Sequence, residues 1–155
     1  MKVLVLSDSH GSWRNLSAAI EKENTCEFVF FLGDGTYDIE RCKALYPEKK
    51  FIIVRGNCDR DSSYDDVAYK YIEKNTVVAS HGHRFSVKIT LSELLKHTQG
   101  VMGNIAFYGH THVPDFHYDS AYNIFVLNPG SASEGKYAVA EITEKGIDAE
   151  FKTIF

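Results

Sequence analysis

Five places in this chain set a metal-ligating side chain directly after a short apolar run. Val3–Leu6 leads to Asp8 and His10, and Phe28–Leu32 leads to Gly33 and Asp34. Phe51–Val54 leads to Asn57, Thr76–Ala79 to His81 and His83, and Ile105–Tyr108 to His110 and His112. Asp34 is the sharpest case. The run before it is too short for a helix and rich in aromatic and β-branched residues, as a buried parallel strand is. An ionised carboxylate beside such a strand is costly unless a positive charge compensates it. Asp34 is therefore read as a carboxylate shared by two metal ions, with the other four places supplying the remaining ligands.

Singly, each motif is weak. Asp-x-His is often only a turn, Gly-Asp ends many strands, and Gly109-His110-Thr111-His112 taken alone is compatible with a surface turn. The set is more specific, because five of the seven histidines share these segments with two aspartates and one asparagine. In open α/β sheets, ligands bind beyond the carboxyl ends of the strands. Loops after neighbouring parallel strands would deliver all these groups to one rim. His97, late in a predicted helix, and His117, in a predicted strand, lie outside the set.

The elements that must position them follow a β-α-β-α-β succession at the start. A helix is expected from about Ser12, burying Trp13, Leu16, Ala19 and Ile20, and a second carries Ile39, Cys42 and Leu45 up to Pro47. That order argues a parallel sheet with right-handed crossovers. Residues 69–73 and 76–79 read as a hairpin about Lys74-Asn75. Thr90-Leu91-Ser92-Glu93 reads as a capping box for a helix with Leu91, Leu94 and Leu95 on its apolar face. The remainder, 116–118, 122–127, 137–142 and 147–154, reads as an antiparallel meander, with turns at Asn128–Ser131 and Lys145-Gly146. One domain over 1–155 is expected.

Composition excludes several classes. With 44% hydrophobic and 25% charged residues the chain reads as an ordinary soluble globular protein. A net charge of -4, with no clustered Lys/Arg stripe, gives no sign of nucleic-acid binding. Asp8 and His10 interrupt the first apolar run too soon for an export or membrane segment. Cys26, Cys42 and Cys58, odd in number, read as reduced thiols of a cytoplasmic protein.

In order, Asp8-Ser9-His10, Gly33-Asp34, Gly56-Asn57-Cys58-Asp59, His81 and Gly109-His110-Thr111-His112 resemble the calcineurin-like metallophosphoesterases. The likeness spans nearly the whole chain. Gly-Asn-Cys-Asp and the downstream Asn128-Pro129-Gly130-Ser131 resemble the small YfcE-type phosphodiesterase branch. The resemblance implies an α/β fold, a two-sheet sandwich of mixed β-sheets flanked by helices. It implies Asp8, His10 and His112 on one divalent ion, Asn57, His81 and His110 on a second, and Asp34 bridging both. Asp34, Asn57, His110 and His83 are the expected catalytic residues. Such ions clamp phosphoryl oxygens and lower the pKa of a bridging water, so that hydroxide forms near neutral pH. Imidazole and carboxylate ligands suit Mn, Fe, Zn, Ni, Co or Mg; Mn is preferred on the resemblance alone. The implied function is phosphodiester hydrolysis of a small phosphate-ester substrate, and a homo-oligomer is compatible with the sequence.

Cys58 departs from the wider family pattern, which has a histidine there to stabilise the transition state or protonate the leaving oxygen. A neutral thiol is a weak donor. Burial as a small hydrophobe is the preferred reading of Cys58. Asp59, with no histidine to orient, is expected only to cap a turn, and His83 is a substitute acid or a partner to a ligand. Arg55 and Arg60 read as surface or ion-pair residues, and Asn128–Ser131 as support for a metal-bound histidine. Residues 60–66 are the expected source of specificity. The alternative function is a non-catalytic scaffold of the same fold, as in the retromer subunit of eukaryotes.

Overall fold

A computed structural model describes residues 1–155. Sheet one has the strand order β10-β9-β1-β2-β3, built from β1 (Lys2–Leu6), β2 (Phe28–Phe31), β3 (Lys50–Ile53), β9 (Lys136–Thr143) and β10 (Gly146–Thr153). Sheet two has the order β4-β5-β6-β8-β7, built from β4 (Val67–Ile72), β5 (Asn75–Ser80), β6 (Ile105–Phe107), β7 (Asp115–Asp119) and β8 (Ile124–Asn128). The helices are α1 (Trp13–Lys22), α2 (Thr36–Leu45) and α3 (Ser92–Gly100).

Strand alternation explains the layers. Val3, Val5, Phe28, Phe30 and Leu32 face sheet two and meet Val77, Ala79, Ile105, Phe107 and Leu127. Phe30 and Phe107 meet edge to face with centroids 5.1 Å apart. Burying each such ring contributes about 1.5–3 kcal/mol. The alternate residues of sheet one, Leu4, Leu6, Val29 and Phe31, face outward onto Leu16, Ala19 and Ile20 of α1 and Ile39 and Cys42 of α2. On the other side Ala106, Ile124 and Val126 pack on Leu94 and Leu95 of α3. The molecule is thus a helix-flanked sandwich of two mixed sheets. No helix is long and apolar enough to cross a membrane.

β1, β2 and β3 are mutually parallel in sheet one, and β5, β6 and β8 are parallel in sheet two. The carboxyl ends of β1, β2, β3, β5 and β6 carry the loops singled out above.

Four local expectations are corrected. The last four strands are not one meander: β7-β8 is a hairpin of sheet two, and β9-β10 is a hairpin of sheet one lying antiparallel to β1. The β4-β5 turn is Glu73-Lys74, both at positive φ, because Asn75 is buried and its amide donates to the carbonyls of Glu73 and Thr143. No capping box forms at α3, since the Thr90 and Ser92 hydroxyls bond each other at 3.0 Å. Leu45, at the end of α2, is 57% exposed rather than part of its apolar face.

Candidate metal centre

The loops after β1, β2, β3, β5 and β6 converge, and the backbone is distorted where they do. Asp8, His10, Asp34, His110 and His112 all have positive φ, from 43° to 70°. Non-glycine residues adopt this region uncommonly, Asp and His more readily than most, and such strain gathers at functional sites. Close backbone approach makes it feasible. A Cβ on Gly33 would lie 2.5 Å from Gly56 N, and one on Gly56 would lie 2.2 Å from Asp34 Oδ1. Only glycine at both positions lets the β2 and β3 loops touch.

Two sets of donor atoms result. In the first, Asp8 Oδ1 lies 3.1 Å from His112 Nε2 and 3.6 Å from His10 Nε2, with the two ring nitrogens 3.3 Å apart. In the second, His81 Nε2 lies 3.0 Å from Asn57 Oδ1, 3.1 Å from His110 Nδ1 and 3.3 Å from Asp34 Oδ2. Asp34 Oδ2 is also 3.8 Å from His10 Nε2, which places this carboxylate between the sets.

The donor atoms fit divalent cations. His81 is fully buried, and its Nδ1–H donates to the Leu32 carbonyl at 2.7 Å, so Nε2 turns a lone pair toward the oxygens and nitrogen around it. Ligands about 2.0–2.2 Å from a shared ion stand about 3.0–3.5 Å apart, the spacing seen in both sets. Asp8 is fully buried and Asp34 only 3% exposed. Two such carboxylates need compensating positive charge.

The titration directions agree. Burial alone would raise the Asp34 pKa, but His81 and the Cys58 backbone N–H, 2.8 Å from Oδ1, hold it well below the usual carboxylate range. Burial opposes a charge on His81, yet the Asp34 hydrogen bond and the Asp8 and Asp34 charges outweigh it and raise its pKa, so the two buried carboxylates draw to Nε2 a proton that competes with a cation for the same lone pair. Burial, then the neighbouring His81, pushes His110 down to about 4, leaving it a neutral ligand at pH 7.

All seven expected ligand residues are therefore brought together. His83 sits beside them in a 3-10 turn, its ring centroid 5.5 Å from that of His81. Burial and His81 lower the His83 pKa, so near pH 7 the ring is neutral and must gain a proton before giving one. Its Nδ1 is buried without a hydrogen-bond partner. Arg55 is engaged elsewhere, in an ion pair with Asp66 at 3.0 Å.

Cys58 corrects an expectation. Cys26 and Cys42 are buried, but Cys58 is exposed, and its sulfur groups with ligand atoms of His10 and Asp34 within 4.8 Å. Its partial burial and then the Asp34 carboxylate raise the thiol pKa, keeping it protonated. Asp59 is also more than a turn cap, since its carboxylate accepts four backbone N–H groups, from Asp34, Gly35, Thr36 and Gly56. The Asn128 amide donates to Gly109 O and Thr111 Oγ1, supporting the loop rather than a histidine ring. Ser131 Oγ donates to the Asp8 carbonyl. Pro-Gly composition marked this last segment as a turn; nothing in the sequence marked what Asp59 would touch.

Sandwich and donor cluster together define a metal-binding α/β phosphoesterase type. Residues 1–145 match the calcineurin-like phosphoesterase superfamily domain, and the chain belongs to that family. It is 28% identical over 132 residues to the probable metallophosphoesterase YsnB of Bacillus subtilis, covering 84% of this chain and 75% of that one. A predicted phosphoesterase structure from Streptococcus pneumoniae superposes with a TM-score of 0.85 at 26% identity, over 99% of this chain and 89% of that one. Two more distant structures share the fold. An archaeal phosphodiesterase has a TM-score of 0.71 at 22% identity, covering 98% of this chain and 100% of that one. Zinc-complexed Vps29 of Entamoeba histolytica has a TM-score of 0.73 at 18% identity, with 100% of both chains covered.

Proposed function

We propose that this protein is a two-metal-dependent phosphoesterase that hydrolyses phosphodiesters. The observation that carries the reading is Asp34, whose Oδ2 stands 3.8 Å from His10 Nε2 on one side and 3.3 Å from His81 Nε2 on the other. Asp8, His10 and His112 would hold one ion, Asn57, His81 and His110 the other, and Asp34 both. Bound divalent ions, with Mn preferred, supply Lewis acidity that draws charge from the phosphoryl oxygens and lowers the pKa of the attacking water.

The residues do the rest. The Leu32 carbonyl fixes the His81 tautomer, so its Nε2 keeps facing the cluster. Neutral His110 and the Asn57 side-chain oxygen add no negative charge where an anionic ester must approach. In the reaction the water oxygen bonds to phosphorus, the P–O bond to one arm breaks, and that arm leaves as an alcohol carrying one proton. His83, neutral and beside His81, is the imidazole placed to relay that proton. The Cys58 thiol is a weak donor and no cation, which favours singly charged diesters over monoesters. One structural neighbour of the same fold is named as a phosphodiesterase.

Seven donor residues converging on one rim, with Asp34 between the two sets, favour an enzyme over a non-catalytic scaffold of this fold. Three free cysteines suit a reducing compartment, and the cytoplasm is the proposed location.

The test is Asp34→Asn. Bound metal and turnover of an aryl phosphodiester are measured on folded parent and variant. The parent is expected to bind two ions and the variant at most one, with turnover lost. Two ions and undiminished turnover in the variant would sink the assignment.

A further inference from the structure

A cleft of about 400 Å³ opens beside the cluster, between the start of α2 and the loop 60–64. Cys58 forms the wall that the cleft shares with the metal-ligand group of His10 and Asp34. Any ester whose phosphoryl group sits at the cluster can therefore extend one arm into the cleft.

The lining says which arm. Tyr37 is 82% exposed, a large aromatic surface left open at the rim. Tyr64, across the cleft, is held in place: its hydroxyl donates to Glu40, and the Lys43 ammonium lies 5.8 Å from its ring centroid. Glu40, Asp59, Arg60 and Asp61 line the cleft; Glu40 is paired with Lys43 at 3.8 Å and Asp59 is bound by four backbone N–H groups, which leaves Asp61 as the carboxylate without a partner. An arm carrying its own phosphate would meet like charge there. An uncharged ring gains from stacking on tyrosine.

We propose that this cleft holds one arm of the phosphodiester, and that it selects an uncharged aromatic arm over one bearing a further phosphate or phosphonate. Tyr37 is the stacking surface and Asp61 the charge filter. The proposal rests on the phosphodiester reading above, and its test separates the two.

Equilibrium binding to the Mn-loaded protein is measured by calorimetry for the non-hydrolysable phosphinate analogues of three probes: a diaryl phosphate, the same diester with a phosphonate on one ring, and dimethyl phosphate. Turnover of the diaryl ester is followed on the same preparations. Tyr37→Ala is expected to weaken diaryl binding roughly three- to tenfold while leaving dimethyl phosphate unchanged. Asp61→Lys is expected to raise affinity for the phosphonate-bearing probe relative to the plain diaryl ester by roughly two- to fivefold. If the diester is turned over but neither variant shifts the probe ratios, the cleft is not the arm site and the phosphodiesterase reading survives. If no ester is turned over, yet both variants shift the ratios as expected, the cleft stands and that reading falls. A parent protein that binds diaryl and dimethyl phosphate equally well overturns the proposal outright.

Discussion

Asp59 Oδ2 accepts the backbone N–H of Asp34 at 2.7 Å, so the residue two places after Asn57 holds the central carboxylate of the cluster. The same oxygen accepts Gly56 N–H at 2.8 Å, and Oδ1 accepts Gly35 and Thr36 N–H at 2.9 and 3.0 Å. Gly35 and Thr36 open α2, so a carboxylate from another loop caps that helix and complements its dipole. One side chain thereby ties the β2 loop, the β3 loop and α2 together.

Asp59→Asn keeps the shape but removes the charge and turns an N–H-bearing amide toward backbone N–H groups. Lost bonds to a charged acceptor cost about 1.5–3 kcal/mol each, partly recovered by relaxation. Thermal unfolding is expected to show a clear loss of stability. Metal affinity is expected to fall by about 10–100-fold, as when partners that orient ligands are removed. Asp59 touches no candidate ion directly, so affinity equal to the parent's would show that Asp34 is positioned without it.

The two imidazoles of one loop are expected to serve different ions. His112 Nε2 lies 3.1 Å from Asp8 Oδ1, whereas His110 Nδ1 lies 3.1 Å from His81 Nε2. His110→Ala and His112→Ala are each expected to weaken one Mn²⁺ site and leave the other near its parent affinity. Titration followed by electron paramagnetic resonance separates a lone ion from a coupled pair. Two variants with parent-like binding curves would reduce the loop to a turn.

How much of this was legible in the sequence depends on the range of each interaction. Asp8, Asp34, His81 and the Gly-His-Thr-His pair stood out because each follows a run that must be a buried strand, and strand ends fix where loops emerge. Asp59 could not be read this way. Its four partners are backbone N–H groups on other segments, and a backbone donor leaves no mark in residue type. The same holds for the Glu73-Lys74 turn, where the buried Asn75 side chain overrides local turn preference by bonding the Thr143 carbonyl on the other sheet. Cys58 is likewise held by a backbone bond, its N–H donating to Asp34 Oδ1 at 2.8 Å with the thiol left exposed, and residue type alone pointed to burial instead.

Cys58 is the residue on which substrate preference is expected to turn. It is exposed and stands with His10 and Asp34 at the mouth of the cluster, and the Asp34 carboxylate helps keep its thiol protonated. A protonated thiol supplies neither a cation for phosphoryl charge nor a strong acid for a departing alkoxide. Activated aryl diesters need the acid least, since their leaving groups are stable anions. Alkyl esters and doubly charged monoesters need the acid and the cation respectively, and general-acid help is worth about 10²–10⁴-fold where it is needed. Cys58→His places an imidazole at that position. Asp59 is already spent on backbone N–H groups, so it cannot also orient the new ring, and the gain is expected at the low end of that range. The kcat/KM for a monoester is expected to rise by about 100-fold relative to that for an activated diester. The measurement is the ratio of the two kcat/KM values in parent and variant. A parent that already prefers monoesters, or a ratio the substitution leaves unchanged, would show that the preference is set elsewhere.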